Sequence, residues 1–391
     1  MRVHPKLGTV ALAAAVLASC DHQPTAPGER HGMPPANLSA VKFWDAGAAV
    51  AWNELATTLA ARRPVNILRL YAYLSLAQFR AAEAAEAIQP HPPISAAIAG
   101  ASAVVLASYF PPDVAEIEAA LDAQQAAPPW PGAKHADFAA GEAIGRGIGA
   151  RVVAWSAGDG VGLTDPGVPP VGPGKWISPG TIVRGFLGAR PFFLSSDDEF
   201  RPGPPPAFGS AAFLAALAEV RQISDTRTPE QLASALFWNL NQSGTSQAAM
   251  QGLARELIVR YRRKDAEAAR ILFLGNASVF DAAIGCFDAK YHYWFIRPPQ
   301  ADPLIVTPFP TPAHPSYPSA HSCISGGMTE TLARAFPSER DRLEAVAQEA
   351  SLSRLYAGIH YRFDMVAGPA LGRAVAAKAW RLDLDDVAPL P

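Results

Sequence analysis

The chain carries almost no net charge. Its 33 Lys and Arg are set against 35 Asp and Glu over 391 residues, a formal −2 at pH 7. That balance removes the electrostatic case for a nucleic-acid partner or an acidic membrane surface. Long alternating strand patterns are missing, as are internal repeats and low-complexity tracts. After the first twenty residues no apolar run reaches the roughly twenty residues that a bilayer-spanning helix needs. What the chain has is a globular composition, 49% hydrophobic, in a length that can bury a large core and would allow two or three domains.

Cysteine is scarce, with three in all. Cys20 ends a targeting-type segment: Arg2 and Lys6 form a short basic region, residues 9–18 are apolar, and Leu17-Ala18-Ser19-Cys20 resembles a bacterial lipobox. The resemblance implies cleavage before Cys20 and lipidation of it. Acyl chains bury about 0.8 kcal/mol per methylene, so the mature chain would touch a membrane only through this anchor. The expected location is the cell envelope, on the periplasmic or extracytoplasmic face. Residues 21–40, rich in Pro, Gly and charge, read as a flexible tether. Cys286 and Cys323 remain, in a compartment that permits disulfides. They read either as a disulfide or as two buried apolar thiols.

From residue 41 onward apolar side chains recur at helical spacing. Helices are expected over 48–59, 65–88, 94–108, 114–125, 138–156, 210–220, 228–239, 246–264, 265–293, 319–336, 338–355 and 361–382, bounded by prolines such as Pro64, Pro90, Pro111 and Pro128. The fold class is therefore all-α, a single domain over 41–391 whose chemistry-bearing part spans about 210–385. Residues 158–206 break the pattern. Dense in Gly and Pro, with isolated aromatics, they read as a functional or lid-like coil.

Three short segments carry the chemistry: KYHYWFIRP at 290–298, PSAH at 318–321 and SRLYAGIHYRFD at 353–364. In the first, Lys290, Trp294 and Arg297 are spaced to share one face of a helix that Pro298 ends. A Lys and an Arg on such a face can clamp an oxyanion. In the second, Ser319 is a natural N-cap; the free N–H groups of the first turn, Ala320 included, and the helix dipole favour an anion. His321 stands in that turn. In the third, Asp364 lies four residues beyond His360 and can accept one ring N–H, leaving the other nitrogen to the site. Arg354 adds a third cation.

Together these segments resemble the three signature motifs of the superfamily that holds type 2 phosphatidic acid phosphatases and vanadium-dependent haloperoxidases. K-x6-R-P matches at Lys290, Arg297 and Pro298; P-S-G-H matches at Pro318, Ser319 and His321 with Ala320 for glycine; S-R-x5-H-x3-D matches at Ser353, Arg354, His360 and Asp364. Upstream, GEAIGRG, GKWISPG and ALFWN more loosely resemble bacterial haloperoxidase-type proteins. The resemblance implies two packed four-helix bundles and a vanadate cofactor. His360 would be the residue bonded to vanadium, with Lys290, Arg297, Arg354, Ser319 and the Ala320 N–H around the oxygens and His321 as acid–base group. It implies hydrogen peroxide and halide as co-substrates, with Lys290 polarising bound peroxide, and His314 resembles a histidine of bromide-using members. The same residues would serve a phosphatase, with His360 as nucleophile towards a phosphate ester. Ala320 brings a doubt of its own, since alanine cannot easily adopt a positive φ if the loop needs one. A zinc cluster of His292, His314, His321 and His360 is disfavoured by three converging cations, and a purely anion-binding site would leave His321 without a task. Homo-oligomer formation stays open.

Overall fold

The computed structural model describes residues 47–126, 138–239, 245–388 and 390. The leader, Cys20 and the tether expected from the sequence lie outside them. Thirteen α-helices and no strand occur among the described residues, the all-α class expected. They are α1 (Ala48–Arg62), α2 (Ile67–Glu86), α3 (Ile94–Tyr109), α4 (Val114–Ala126), α5 (Phe138–Ser156), α6 (Ala211–Thr226), α7 (Pro229–Phe237), α8 (Thr245–Arg260), α9 (Asp265–Tyr293), α10 (Pro298–Ala301), α11 (Ala320–Ala335), α12 (Arg340–Tyr356) and α13 (Arg362–Ala379).

Local chemistry sets several of these starts. Asn66 caps α2 by accepting from the Arg69 N–H, Ser210 caps α6 by accepting from Phe213, and Thr228 with Gln231 forms a capping box ahead of Pro229. Helix α9 is the centre of the fold, packing against α2 and against α11 and α13. With 29 residues, it is long and apolar enough to cross a membrane, contrary to the expectation that no such run exists. It is almost wholly buried inside the fold, so its apolar character serves the core. Helices α3 and α5 also pack closely: a Cβ at Gly145 would overlap the Ala97 carbonyl.

Between α5 and α6 the chain runs without a helix and packs down as a coil over α9. The buried Asp281 carboxylate on α9 accepts the backbone N–H groups of Phe192, Phe193 and Leu194 at 2.9, 2.7 and 3.0 Å. Phe186 and Phe192 stand edge-on to Phe280 with centroids 5.0 and 5.2 Å away. Farther along, Trp176 N–H donates to the Trp294 carbonyl at 2.7 Å and Ile296 N–H to Gly174 at 3.0 Å, around an antiparallel bridge between Lys175 and Phe295.

This pairing corrects one expectation. Helix α9 ends at Tyr293, Trp294 takes a left-handed φ of 51°, and Arg297 is extended at the start of α10. Lys290, Trp294 and Arg297 therefore do not share a helix face. The coil offers the 294–296 backbone partners that a continued helix would have to give up.

Candidate oxyanion site

Lys290, on the last turn of α9, is fully buried. Its ammonium donates to three carbonyls, Pro315 at 2.9 Å, Ser316 at 2.7 Å and Pro318 at 2.5 Å. All three N–H bonds are thus committed, and the lysine fixes the loop that leads into α11. Arg297 reaches the same loop from the other motif position. Its Nε donates to the His314 carbonyl at 3.0 Å, one terminal nitrogen to the Ile359 carbonyl at 2.7 Å and to His360 Nε2 at 3.0 Å, and the other to His314 Nδ1 at 3.0 Å. Arg354, near the end of α12, donates to the Ser353 hydroxyl and the Ala235 carbonyl at 3.0 and 2.8 Å, over the face of Phe309. The two motif cations expected on one helix are brought together by loop carbonyls instead.

His360 lies in the turn between α12 and α13, where Gly358 at φ 74° allows the reversal. Its Nδ1–H donates to Asp364 at 2.7 Å, the i to i+4 contact expected from the sequence. Nε2 is therefore left as an acceptor, and it faces Arg297. The Asp364 oxygen that takes His360 also accepts from the Ser316 hydroxyl at 2.6 Å and the Tyr361 N–H at 3.2 Å. Burial pushes this carboxyl up to about 6. Ser316 was not singled out in the sequence, since nothing local links it to a residue in another motif. Replacing Ser316 by alanine should lower activity about tenfold with the fold intact, the usual size for losing a partner behind a catalytic ligand; a circular dichroism spectrum and a rate on each protein check this.

Ser319 caps α11 as expected, and the PSAH turn accommodates alanine without strain. Ala320 is not among the positive-φ residues and opens the helix in ordinary geometry. The doubt raised by the missing glycine is thereby answered for the backbone. His321 Nε2–H donates to the Trp238 carbonyl at 2.7 Å, leaving Nδ1 unprotonated. His314 accepts from Arg297 at Nδ1, so its Nε2 carries the proton. His292 is exposed and lies away from this group.

Burial pushes His314, His321 and His360 well below the usual histidine value, and the cations add to it: Lys290 and Arg297 for His314, Arg354 for His321, Arg297 and Lys290 for His360. All three rings are neutral near pH 7. His314, Ala320, His321, Arg354 and His360 line one cleft of about 470 Å³, walled by Phe186, Phe287 and Phe309.

Cys286 and Cys323 are free, fully buried thiols, so the disulfide reading does not hold in this structure. Cys286 Sγ donates weakly to the Pro318 carbonyl at 3.8 Å.

Three buried cations without counter-charge are costly. Among the described residues, neither Lys290, Arg297 nor Arg354 forms an ion pair, and only the His360–Asp364 contact brings a carboxylate to the group. Burial, aided by Arg297, pushes Lys290 down to about 8. Burial also lowers both arginines, yet a guanidinium keeps its proton in proteins. This donor set fits a multivalent tetrahedral oxyanion, which would supply the missing negative charge beside the α11 N-terminus.

A pH signature follows. Between about 8 and the ordinary lysine value of 10.5 the folded chain sheds the Lys290 proton while the unfolded chain keeps it. Stability of the anion-free protein should gain a term that rises with pH through that window. Thermal melts in a pH series should show this rise in the wild type relative to Lys290→Met, and saturating orthovanadate should flatten it.

Residues 270–386 match the family model of the PAP2 superfamily, the superfamily to which the three motifs point. The chain is similar to a solved structure described as the first bacterial vanadium-dependent iodoperoxidase, at 23% identity and a TM-score of 0.70, over 85% of this chain and 95% of that one. It is also similar to a bacterial vanadium-dependent chloroperoxidase, in an apo form at 13% identity and TM-score 0.64 over 80% and 92% of the two chains. The holo form gives 13% and 0.62 over 89% and 93%. At these identities the likeness shows a shared all-helical fold. No curated protein matches the chain in sequence.

Proposed function

We propose that this PAP2-superfamily segment, in a fold shared with vanadium haloperoxidases, binds vanadate and makes the chain a vanadate-dependent haloperoxidase that oxidises halide with hydrogen peroxide. One observation carries the reading: the three motif cations Lys290, Arg297 and Arg354 are buried without an ion-pair partner, and Arg297 donates to the acceptor nitrogen of a neutral His360. Arg297, Arg354, Ser319 and the Ala320 N–H would hold the oxyanion, with His360 Nε2 as the ligand to vanadium. Vanadate, when bound, supplies an electrophilic centre that activates peroxide for two-electron oxidation. Asp364 keeps the His360 proton on Nδ1 and so leaves Nε2 unprotonated; to act as a ligand Nε2 must give up the Arg297 N–H that it accepts at 3.0 Å. Lys290 contributes charge from its carbonyl cage; to touch an oxygen or polarise bound peroxide it must release one of three carbonyls. His321 can take a proton at Nδ1, and His314 offers Nε2–H to the cleft. The aromatic walls exclude bulk water and strengthen each of these interactions.

A second reading, a phosphomonoesterase, is favoured by the same unprotonated Nε2, which a phosphorus nucleophile also needs. In either reading we place the chain on the extracytoplasmic face, held through Cys20. The deciding experiment assays peroxide-dependent bromination of a phenolic dye with orthovanadate, beside p-nitrophenyl phosphate hydrolysis without it. Bromination that requires vanadate supports the haloperoxidase. Phosphate release that vanadate inhibits, with no bromination, replaces it by the phosphatase.

A further inference from the structure

The cleft is larger than the inorganic partners of the proposed reaction require. At about 30 Å³ per heavy atom, the share of a water molecule in the liquid, vanadate, peroxide and a halide together take up roughly half of its 470 Å³. The space left over has mostly apolar walls, and two rings join it to the oxyanion end. Phe287 stands 5.3 Å from the His314 imidazole, centroid to centroid, and the Arg354 guanidinium lies over Phe309 at 5.5 Å. The coil fixes Phe287 from behind: Gly185, at φ 59°, comes so close that a Cβ there would fall 2.2 Å from the ring. Among the described residues no carboxylate lines the cleft. Its walls run from the buried His360 out to the exposed Asn66, Val183 and Pro310, so it opens to solvent at the end away from the oxyanion site.

We propose that the apolar part of this cleft is a binding site for a one- or two-ring phenol, which is halogenated there beside the oxyanion site. The halogenation rests on the proposed function for its oxidant, whereas the binding rests on the walls alone. Cavities of about 300–1,000 Å³ with mostly apolar walls and a few polar groups suit small organic ligands. Phe186, Phe287 and Phe309 offer ring edges and faces that favour an arene. A neutral ring is preferred to a cation, because Arg354 lines the cleft and no carboxylate there would pair with a positive charge. An electron-rich ring is also what an oxidised halogen attacks most readily. Halide gives two electrons to peroxide, and with one proton this yields hypohalous acid and water. The ring carbon then attacks the halogen, the carbon–halogen bond forms as the halogen–oxygen bond breaks, and the displaced hydroxide takes the ring proton as a second water. Held against Phe287 and Phe309, the ring presents one position to the oxyanion end, so the cleft decides which carbon is halogenated.

The test uses the full chain with orthovanadate, and 1-naphthol as the probe. The first arm omits peroxide and halide and follows naphthol fluorescence as protein is added. Saturable binding at one site per chain is expected. Phe287→Ala, and Ala313→Phe, which fills the cleft from its half-buried rim, should each weaken it about tenfold. Thermal melts show that each variant is folded, and the rim variant carries the test if the wall variant is not. The second arm adds bromide and peroxide and reads the ratio of 2-bromo to 4-bromo product. It should differ at least about threefold from the ratio given by reagent hypobromous acid at the same pH, and both variants should move it towards the reagent value. Absence of saturable binding, binding that both folded variants leave unchanged, or an enzyme ratio equal to the reagent ratio would overturn the proposal. Binding as expected with no bromination at all would sink the proposed function and the halogenation step with it, and leave the arene site standing.

Discussion

If the proposed function holds, replacing His360 by alanine should lower vanadate-dependent bromination on the order of a thousandfold, the scale set by removing a group that touches the reacting centre. The loss is chemical in origin. Asp364 keeps its bonds from the Ser316 hydroxyl at 2.6 Å and the Tyr361 N–H at 3.2 Å, so the turn should stay folded when the imidazole is gone. Arg297 also keeps its bonds to the His314 and Ile359 carbonyls. The variant should therefore melt close to the wild type while losing activity. Steady-state rates at saturating vanadate and peroxide check this, and a rate within about tenfold of the wild type would show that another group holds the cofactor.

The largest effect on stability is expected at Asp281. Its carboxylate accepts three backbone N–H groups from residues 192–194, and alanine would leave all three buried and unpaired. At about 1–3 kcal/mol for each unpaired group, less the cost of burying the carboxylate, Asp281→Ala should destabilise the chain by about 4 kcal/mol. Against a typical total of roughly 5–15 kcal/mol that is a severe loss. Asp281→Asn keeps one acceptor oxygen and should lose less. Burial pushes Asp281 up to about 7, so in the wild type its charge costs stability increasingly as pH rises from the usual carboxyl range towards that value. The alanine variant should lack this slope. Urea unfolding curves across pH measure both effects. An Asp281→Ala midpoint equal to the wild type would mean that the coil is not held by this carboxylate.

What could be read in the sequence was local. The span 265–293 was legible because one apolar pattern runs unbroken between a charged start and an aromatic end, and α9 occupies those residues. Ser319 as a cap and the His360–Asp364 bond were legible because each joins residues within one helical turn. The departure of Trp294 and Arg297 from the helix face of Lys290 was not. It is decided by pairing of 294–296 with 174–176, from a distant stretch without regular periodicity. Nor could the carbonyl cage of Lys290, the Trp238 carbonyl on His321 or the Ser316–Asp364 bond be read, because backbone oxygens and cross-segment hydroxyls leave no pattern in residue types. The motifs name the charged groups, whereas the fold decides which are free to touch a ligand. Lys290 shows the difference: its charge is in the site, and its hydrogens belong to the loop.

The central claim is that buried cations and His360 form one oxyanion site, and direct binding tests it. Orthovanadate titrated into anion-free protein by calorimetry should bind saturably at one site per chain. Phosphate should compete for that site, and His360→Ala and Arg297→Ala should each weaken binding sharply. Absence of saturable binding, or binding that both variants leave unchanged, would contradict the account.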